Sequence, residues 1–310
     1  MGLLVDGKWV DQWYDTKSSG GRFIRTVAQF RNTIEEGGKY EAEKDRYHLY
    51  VSLACPWAHR TLIMRKLKGL EDYITVSVVS PYMLENGWTF EDCEGVVKDP
   101  IFNASYLHQV YTNVEETYSG RVTVPILFDK KTKTIVNNES SEIIRILNTA
   151  FNHLTGNTDD YYPEDLRSEI DEINEFVYHK VNNGVYKVGF STAQDVYEEE
   201  VTVLFEALDK LEERLEGKEY LVGDKFTEAD IRLFTTLVRF DPVYVGHFKC
   251  NLKMIKDYPN LWAYTRRLYN RPEIKETVNF DHIKTHYYGS HKTINPTGVI
   301  PKGPNLDWEI

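Results

Sequence analysis

The sequence predicts two domains, an α/β domain followed by an all-helical one. Three observations carry this expectation. Strand-like and helix-like apolar patterns alternate through the first half of the chain. From "YYPEDL" (161–166) onward apolar residues instead recur at three- and four-residue spacing. The chain has 310 residues, whereas a single domain most often has roughly 100 to 150. The expected boundaries are an extension over 1–45, an α/β domain over 46–155, a helical domain over 160–282 and a tail over 283–310.

Residues 1–45 hold no sustained period and break at "SSGG" and "EEGGK", so they are expected to lie on the body of the protein. "RYHLYVSL" (46–53) reads as a buried strand, and Pro56 to about Lys68 as a helix closed by Gly69. "YITVSVV" (73–79) is a second strand. An irregular stretch follows from Ser80 to about Gly120, with a short helical candidate between Ser105 and Val114; a connection of that length usually has a function. "VTVPILFD" and "KTIVNN" form two strands around the turn "DKKTKT", and "ESSEIIRILNTAF" (139–151) starts a helix. The order strand, helix, strand, connection, strand, strand, helix is a thioredoxin-like layout. Pro125 falls inside the third strand, where it is tolerated only at an edge or with a cis bond.

In the second half the period runs through Leu166, Ile170, Ile173 and Val177, and again through Val201, Leu204, Leu208, Leu211 and Leu215. "KFTEADIRLFTTLVRF" carries a capping box, in which Thr227 caps the Asp230 amide and the Asp230 carboxylate reaches back. That motif is structural.

Bulk properties exclude several function classes. A net charge of −11 and a pI near 5.4 argue against a nucleic-acid partner, whose phosphates demand clustered Lys and Arg. No apolar run reaches the roughly 18 residues of a membrane span, and the opening "MGLLVDGKWVDQWYD" lacks the pattern of a secretory signal. Three cysteines, Cys55, Cys93 and Cys250, are too widely spaced for a disulfide framework, which fits a reducing, cytoplasmic setting.

The chemistry centres on "VSLACPWAHR" (51–60). Cys55 stands at the strand-to-helix junction with Pro56 at the first helical position, which places its sulfur beside the amides and positive dipole end of the helix. At the usual thiol pKa of roughly 8.5, about 3% is ionised at neutral pH, so an environment favouring the thiolate raises the reactive fraction up to about thirtyfold. The alternative is an inert buried cysteine. Three residues on, where a dithiol enzyme would hold its second cysteine, stands Ala58. The resolving thiol must then come from a small soluble molecule, and glutathione is the obvious one in the cytoplasm.

Together "SLACPWAHR", "ENGWTF", "RVTVPIL", "NES", "VNNGVYKVGF", "TEADIRLFTTLVRFDPVY", "HFKCN" and "HKTINPTG" resemble the glutathionyl-hydroquinone reductases, the Xi class of the glutathione transferase superfamily. The resemblance covers nearly the whole chain. It implies a thioredoxin-like domain that binds glutathione, followed by a helical glutathione-transferase domain for the second substrate, in a homodimer whose tail closes part of the substrate cavity. It implies Cys55 as catalytic cysteine, Trp88 as the indole packed on glutathione, and Val124 as the backbone that pairs with the cysteinyl moiety. Glu139 and Ser140 match the pair holding the γ-glutamyl end, which suits a helix N-terminus facing a carboxylate. Arg121 is a candidate for a glutathione carboxylate or for plain solvation. Tyr186 and Tyr287 are implied as proton-handling phenols, with Tyr244 and His286 as further candidates for the quinone pocket.

The implied reaction takes a glutathionyl group from a hydroquinone ring onto Cys55, after which a second glutathione releases it as oxidised glutathione. Glutathione is thus a co-substrate, and no metal is expected: His282, His286 and His291 come without an acidic or cysteine ligand at a zinc-site spacing. Two other readings are a conjugating glutathione transferase and a catalytically silent interaction module with the same fold.

Overall fold

The computed structural model describes residues 2–310, which divide into two compact units. One comprises residues up to Trp13, Thr26–Asp159 and Thr277–Ser290; the other comprises Tyr14–Arg25, Asp160–Glu276 and His291–Ile310.

The first unit contains a hairpin of β1 (Leu3–Val5) and β2 (Lys8–Val10), then β3 (Tyr47–Val51), α1 (Pro56–Leu67), β4 (Ile74–Val78), α2 (Leu107–Val114), β5 (Gly120–Arg121), β6 (Ile126–Asp129), β7 (Thr134–Asn137), α3 (Ser140–Thr149) and the short α4 (Asn152–Thr155). A four-stranded sheet has the order β4-β3-β6-β7, with β3 parallel to β4 and antiparallel to β6. All five residues of β3 are buried, including His48, whose ring nitrogens meet the Thr75 and Ser77 hydroxyls at 2.7 and 2.9 Å. The thioredoxin-like order is therefore present, with one difference. Pro125 precedes the third strand: lacking an N–H, it leaves the ladder to start at Ile126, opposite Tyr50, and the Val124–Pro125 bond is cis. At the other end of that pair Arg46 grips Asp129 with two nitrogens, at 3.0 and 2.7 Å.

A second, three-stranded sheet, β2-β1-β5, ties the N-terminal hairpin to the end of the long connection. The sequence pattern does not predict these strands. Three residues are too few to show alternation, and β5 lies far away in sequence.

The second unit is helical: α5 (Arg167–Val177), α6 (Gly184–Gly189), α7 (Gln194–Arg214), α8 (Glu228–Arg239), α9 (Val245–His247), α10 (Pro259–Tyr269) and α11 (Pro272–Lys275). The expected capping box opens α8, with the Thr227 amide donating to Asp230 at 2.8 Å. Two wide π-helical turns, Tyr178–Asn182 and Phe240–Tyr244, precede α6 and α9; Pro242, which cannot donate within a helix, sits in the second. The last helix, α12 (Phe280–Ser290), belongs to the first unit, and residues from His291 onward to the second. The expected extension divides likewise, with 14–25 joining the helices because Arg22 pairs with Glu199 at 2.6 Å and with Glu200 at 3.1 Å. Among the described residues no helix is long and apolar enough to cross a membrane.

Candidate active site

Cys55 is the N-cap of α1, with extended backbone (φ −76°, ψ 122°), and Pro56 opens the helix. The Cys55 amide donates to Ser52 O at 3.2 Å, while its carbonyl accepts the His59 amide at 3.0 Å, so the residue is half inside the helix. Its side chain makes no capping bond. The sulfur instead lies 3.6 Å from the Val124 carbonyl oxygen, which brings together the thiol and the backbone segment expected to pair with a cysteinyl moiety. Among the described residues Cys55, Cys93 and Cys250 form no disulfide. Cys55 is partly exposed and Cys93 exposed, whereas Cys250 is fully buried and burial pushes its thiol well above the ordinary range.

Glu139 and Ser140 open α3. The Glu139 carboxylate accepts from the Ser141 amide at 3.1 Å and from the Ser141 hydroxyl at 3.0 Å, a cap that uses Oε1. Ser140 is buried and lies 3.4 Å from Nη1 of Arg60. Arg60, on α1 and only 1% exposed, also lies over the Trp57 ring at 4.6 Å. Sequence reasoning missed this buried cation at the α3 N-terminus, although it ends the same "CPWAHR" motif; a charged residue on an inward helix face was the available signal.

Trp88 is buried and stacked on His286 (centroids 4.7 Å, planes 23° apart). His286 Nδ1 is 3.0 Å from Pro81 O, and Ser290 Oγ accepts the Met83 amide at 2.9 Å, so α12 holds the loop that bears Trp88. Tyr287 is buried beside His286. His282 Nε2 meets the Glu94 carbonyl at 2.6 Å. Arg121 points elsewhere: its guanidinium donates to Gln12 O at 2.6 Å and Trp13 O at 3.1 Å.

In the helical unit Tyr186 and Tyr244 lie 6.1 Å apart, within a cluster that includes Phe190 and Phe248. Tyr244 and Phe248 stack nearly parallel at 5.4 Å. His247 and His291, both buried, are 3.0 Å apart through Nε2 and Nδ1 beside this cluster.

A thiol at a helix start beside an X-Pro carbonyl, on a thioredoxin-like sheet followed by helices, defines a glutathione transferase. The family models for the glutathione S-transferase N-terminal domain and C-terminal domain match residues 54–150 and 194–267. The chain is 59% identical to glutathionyl-hydroquinone reductase YqjG of Escherichia coli, across 99% of this chain and 96% of that one. It is also 59% identical to glutathionyl-hydroquinone reductase PcpF of Sphingobium chlorophenolicum, across 98% and 96%. Among solved structures, glutathione-bound YqjG matches with a TM-score of 0.92 at 54% identity, covering 100% of this chain and 97% of that one. The Xi glutathione transferase of Phanerochaete chrysosporium matches with a TM-score of 0.91 at 57% identity, covering 93% and 99%. The chain belongs to the glutathionyl-hydroquinone reductases, the Xi class of the glutathione transferases.

Proposed function

We propose that the protein reduces glutathionyl-hydroquinones to hydroquinones at the expense of glutathione, through a Cys55–glutathione mixed disulfide. The observation that carries this reading is the Cys55 sulfur at the start of α1, 3.6 Å from the Val124 carbonyl, in a motif with Ala58 where a resolving cysteine would stand.

In the first half-reaction the Cys55 thiolate attacks the glutathionyl sulfur of the substrate. The sulfur–sulfur bond forms, the ring carbon–sulfur bond breaks, and the electron pair goes to the ring carbon, which takes up a proton. An aryl carbanion is a very poor leaving group, so the keto tautomer of the hydroquinone, which leaves as an enolate, is the reacting form. Tyr186 and Tyr287 are assigned the proton transfers, with Tyr244 and His286 as ring-binding residues. In the second half-reaction a glutathione thiolate attacks the mixed disulfide, releasing oxidised glutathione and the Cys55 thiolate. Atoms and electrons balance: one glutathionyl-hydroquinone and one glutathione give one hydroquinone and one glutathione disulfide.

Glutathione is assigned to Val124 through its cysteinyl backbone and to Glu139 and Ser140 through its γ-glutamyl end, where the amides of α3 and the nearby Arg60 suit a carboxylate. One Glu139 oxygen caps Ser141, which leaves the carboxylate a second oxygen for the ammonium. Trp88 is assigned to packing against the peptide. The two carbonyls on Arg121 support an anchoring role for it instead. A cytoplasmic homodimer completes the proposal.

The test compares wild type with Cys55→Ala on glutathionyl-hydroquinone plus glutathione, following hydroquinone and oxidised glutathione. The variant is expected to form neither; equal rates would remove the mechanism.

A further inference from the structure

The segment 14–25 is built into the helical unit with more care than a surface extension requires. Its Gly21 carbonyl accepts the Thr192 amide at 3.0 Å, Thr16 and Thr192 hydroxyls meet at 3.0 Å, and Arg22 reaches Glu199 and Glu200. Phe23 is buried edge-on against Phe190, with ring centroids 5.3 Å apart. The segment ends on Arg25. Its guanidinium carbon stands 4.9 Å from the ring centroid of Tyr186 and 5.3 Å from that of Phe23, and its Nε donates to Asn183 Oδ1 at 2.7 Å. The Asn183 carbonyl in turn accepts the Tyr186 amide at 3.0 Å. One asparagine therefore fixes both the backbone of the tyrosine and the cation over its ring.

Resting on the reading of Tyr186 as a proton-transfer phenol, we propose that Arg25 is a positioning residue for this reaction, holding the Tyr186 ring by its face and stabilising negative charge on the phenol oxygen as the proton moves. An apolar side chain would fill the space between two aromatic rings without the desolvation that a guanidinium incurs. A cation on the ring face does what an apolar group cannot: its field favours negative charge on the phenol oxygen. The interaction acts where charge develops, in the first half-reaction, and has no part in the thiol exchange of the second.

The experiment measures the two half-reactions separately in the full-length protein. Hydroquinone release is followed in a single turnover of glutathionyl-hydroquinone, and oxidised glutathione is followed when glutathione discharges a preformed Cys55–glutathione disulfide. Arg25→Met is expected to slow the first step about 10- to 100-fold and to leave the second within about twofold. Arg25→Gln, which retains a donor for Asn183 but no charge, is expected to behave like Arg25→Met, while Arg25→Lys restores most of the rate. In a Tyr186→Phe background Arg25→Met is expected to add no further loss. The proposal is overturned if both half-reactions fall together with the unfolding temperature, if Arg25→Gln matches wild type, or if the Arg25 and Tyr186 losses multiply. Failure of the underlying reading is a different result, namely no hydroquinone from the wild-type protein.

Discussion

Cys55 and Cys250 show how placement decides what a thiol can do. Cys250 is fully buried and burial disfavours its thiolate, whereas Cys55 is partly exposed at the start of α1. Replacing its sulfur by the harder hydroxyl of Cys55→Ser is expected to lower glutathionyl-hydroquinone reduction at least about a thousandfold, because the covalent intermediate can no longer form. Measured alongside, conjugation of an electrophile such as a chloronitrobenzene is expected to appear or rise in this variant, since a hydroxyl at this place can support the thiolate of glutathione itself. Retained reduction in Cys55→Ser would show that the sulfur is not the nucleophile. The residue scale was largely legible in the sequence for Cys55, because its neighbours Pro56 and Ala58 specify helix start and missing partner. It was not legible for Arg60 and Arg25: their importance comes from what lies across the fold from them, Ser140 for one and the Tyr186 ring for the other.

The N-terminal hairpin and the loop bearing Trp88 form one device. Trp9, on β2, donates from its indole to the Glu85 carbonyl at 2.8 Å and stacks on His108. Gly87 packs so closely beneath it that a Cβ there would come 2.6 Å from the Trp9 ring, and its φ of +67° also favours glycine. Trp88 is the next residue. Trp9→Ala is therefore expected to loosen this loop and raise KM for glutathione about 3- to 10-fold with kcat changed less, as steady-state kinetics would show; an unchanged KM would leave the hairpin without a role at the site. A second element, α8, depends on Asp230, which is fully buried and accepts from the amides of Leu221 and Thr227 and from the Tyr264 hydroxyl at 2.8 to 2.9 Å. Asp230→Ala leaves those donors stranded and is expected to cost about 3 kcal/mol, seen as a lower urea midpoint. The α8 box could be read from "FTEAD" because capping is local in sequence. The hairpin could not, although Asp6-Gly7 between its strands is a turn signal, with both residues at positive φ. Nor could the two π-turns, which need a whole-helix view to appear.

At the scale of the molecule, buried ionisable groups set how the fold responds to acid. His48, 1% exposed, is held neutral: burial pushes its pKa down to about 4 from an ordinary 6.5. Its folded pKa lies below its unfolded one, so its contribution is complete above pH 6.5 and is lost as pH falls toward 4. Burial opposes ionisation of Asp129, but the bidentate bond from Arg46, the Thr132 hydroxyl and the Lys131 amide together outweigh it and hold the carboxyl below its usual range; its contribution is lost only at lower pH still. Asp230 runs the other way, pushed up to about 6 by burial, so its contribution declines as pH rises through that value. Between pH 7 and 4 the loss through His48, up to about 3 kcal/mol, is opposed by a gain of similar size through Asp230, so the urea midpoints of His48→Gln are expected to rise relative to those of wild type as pH falls; parallel curves would contradict this assignment. The division into an α/β part and a helical part was readable from the change of period near residue 160, while the allotment of 14–25 and of α12 to opposite units was not, since it rests on pairings such as Arg22 with Glu199 and His282 with Glu94.

The most direct test of the central claim is intact-protein mass spectrometry of a single turnover, with glutathionyl-hydroquinone supplied and glutathione withheld. The expected result is one glutathionyl group per chain, mapped to Cys55, in step with one released hydroquinone and removed when glutathione is added. Hydroquinone release with Cys55 unmodified would contradict the account.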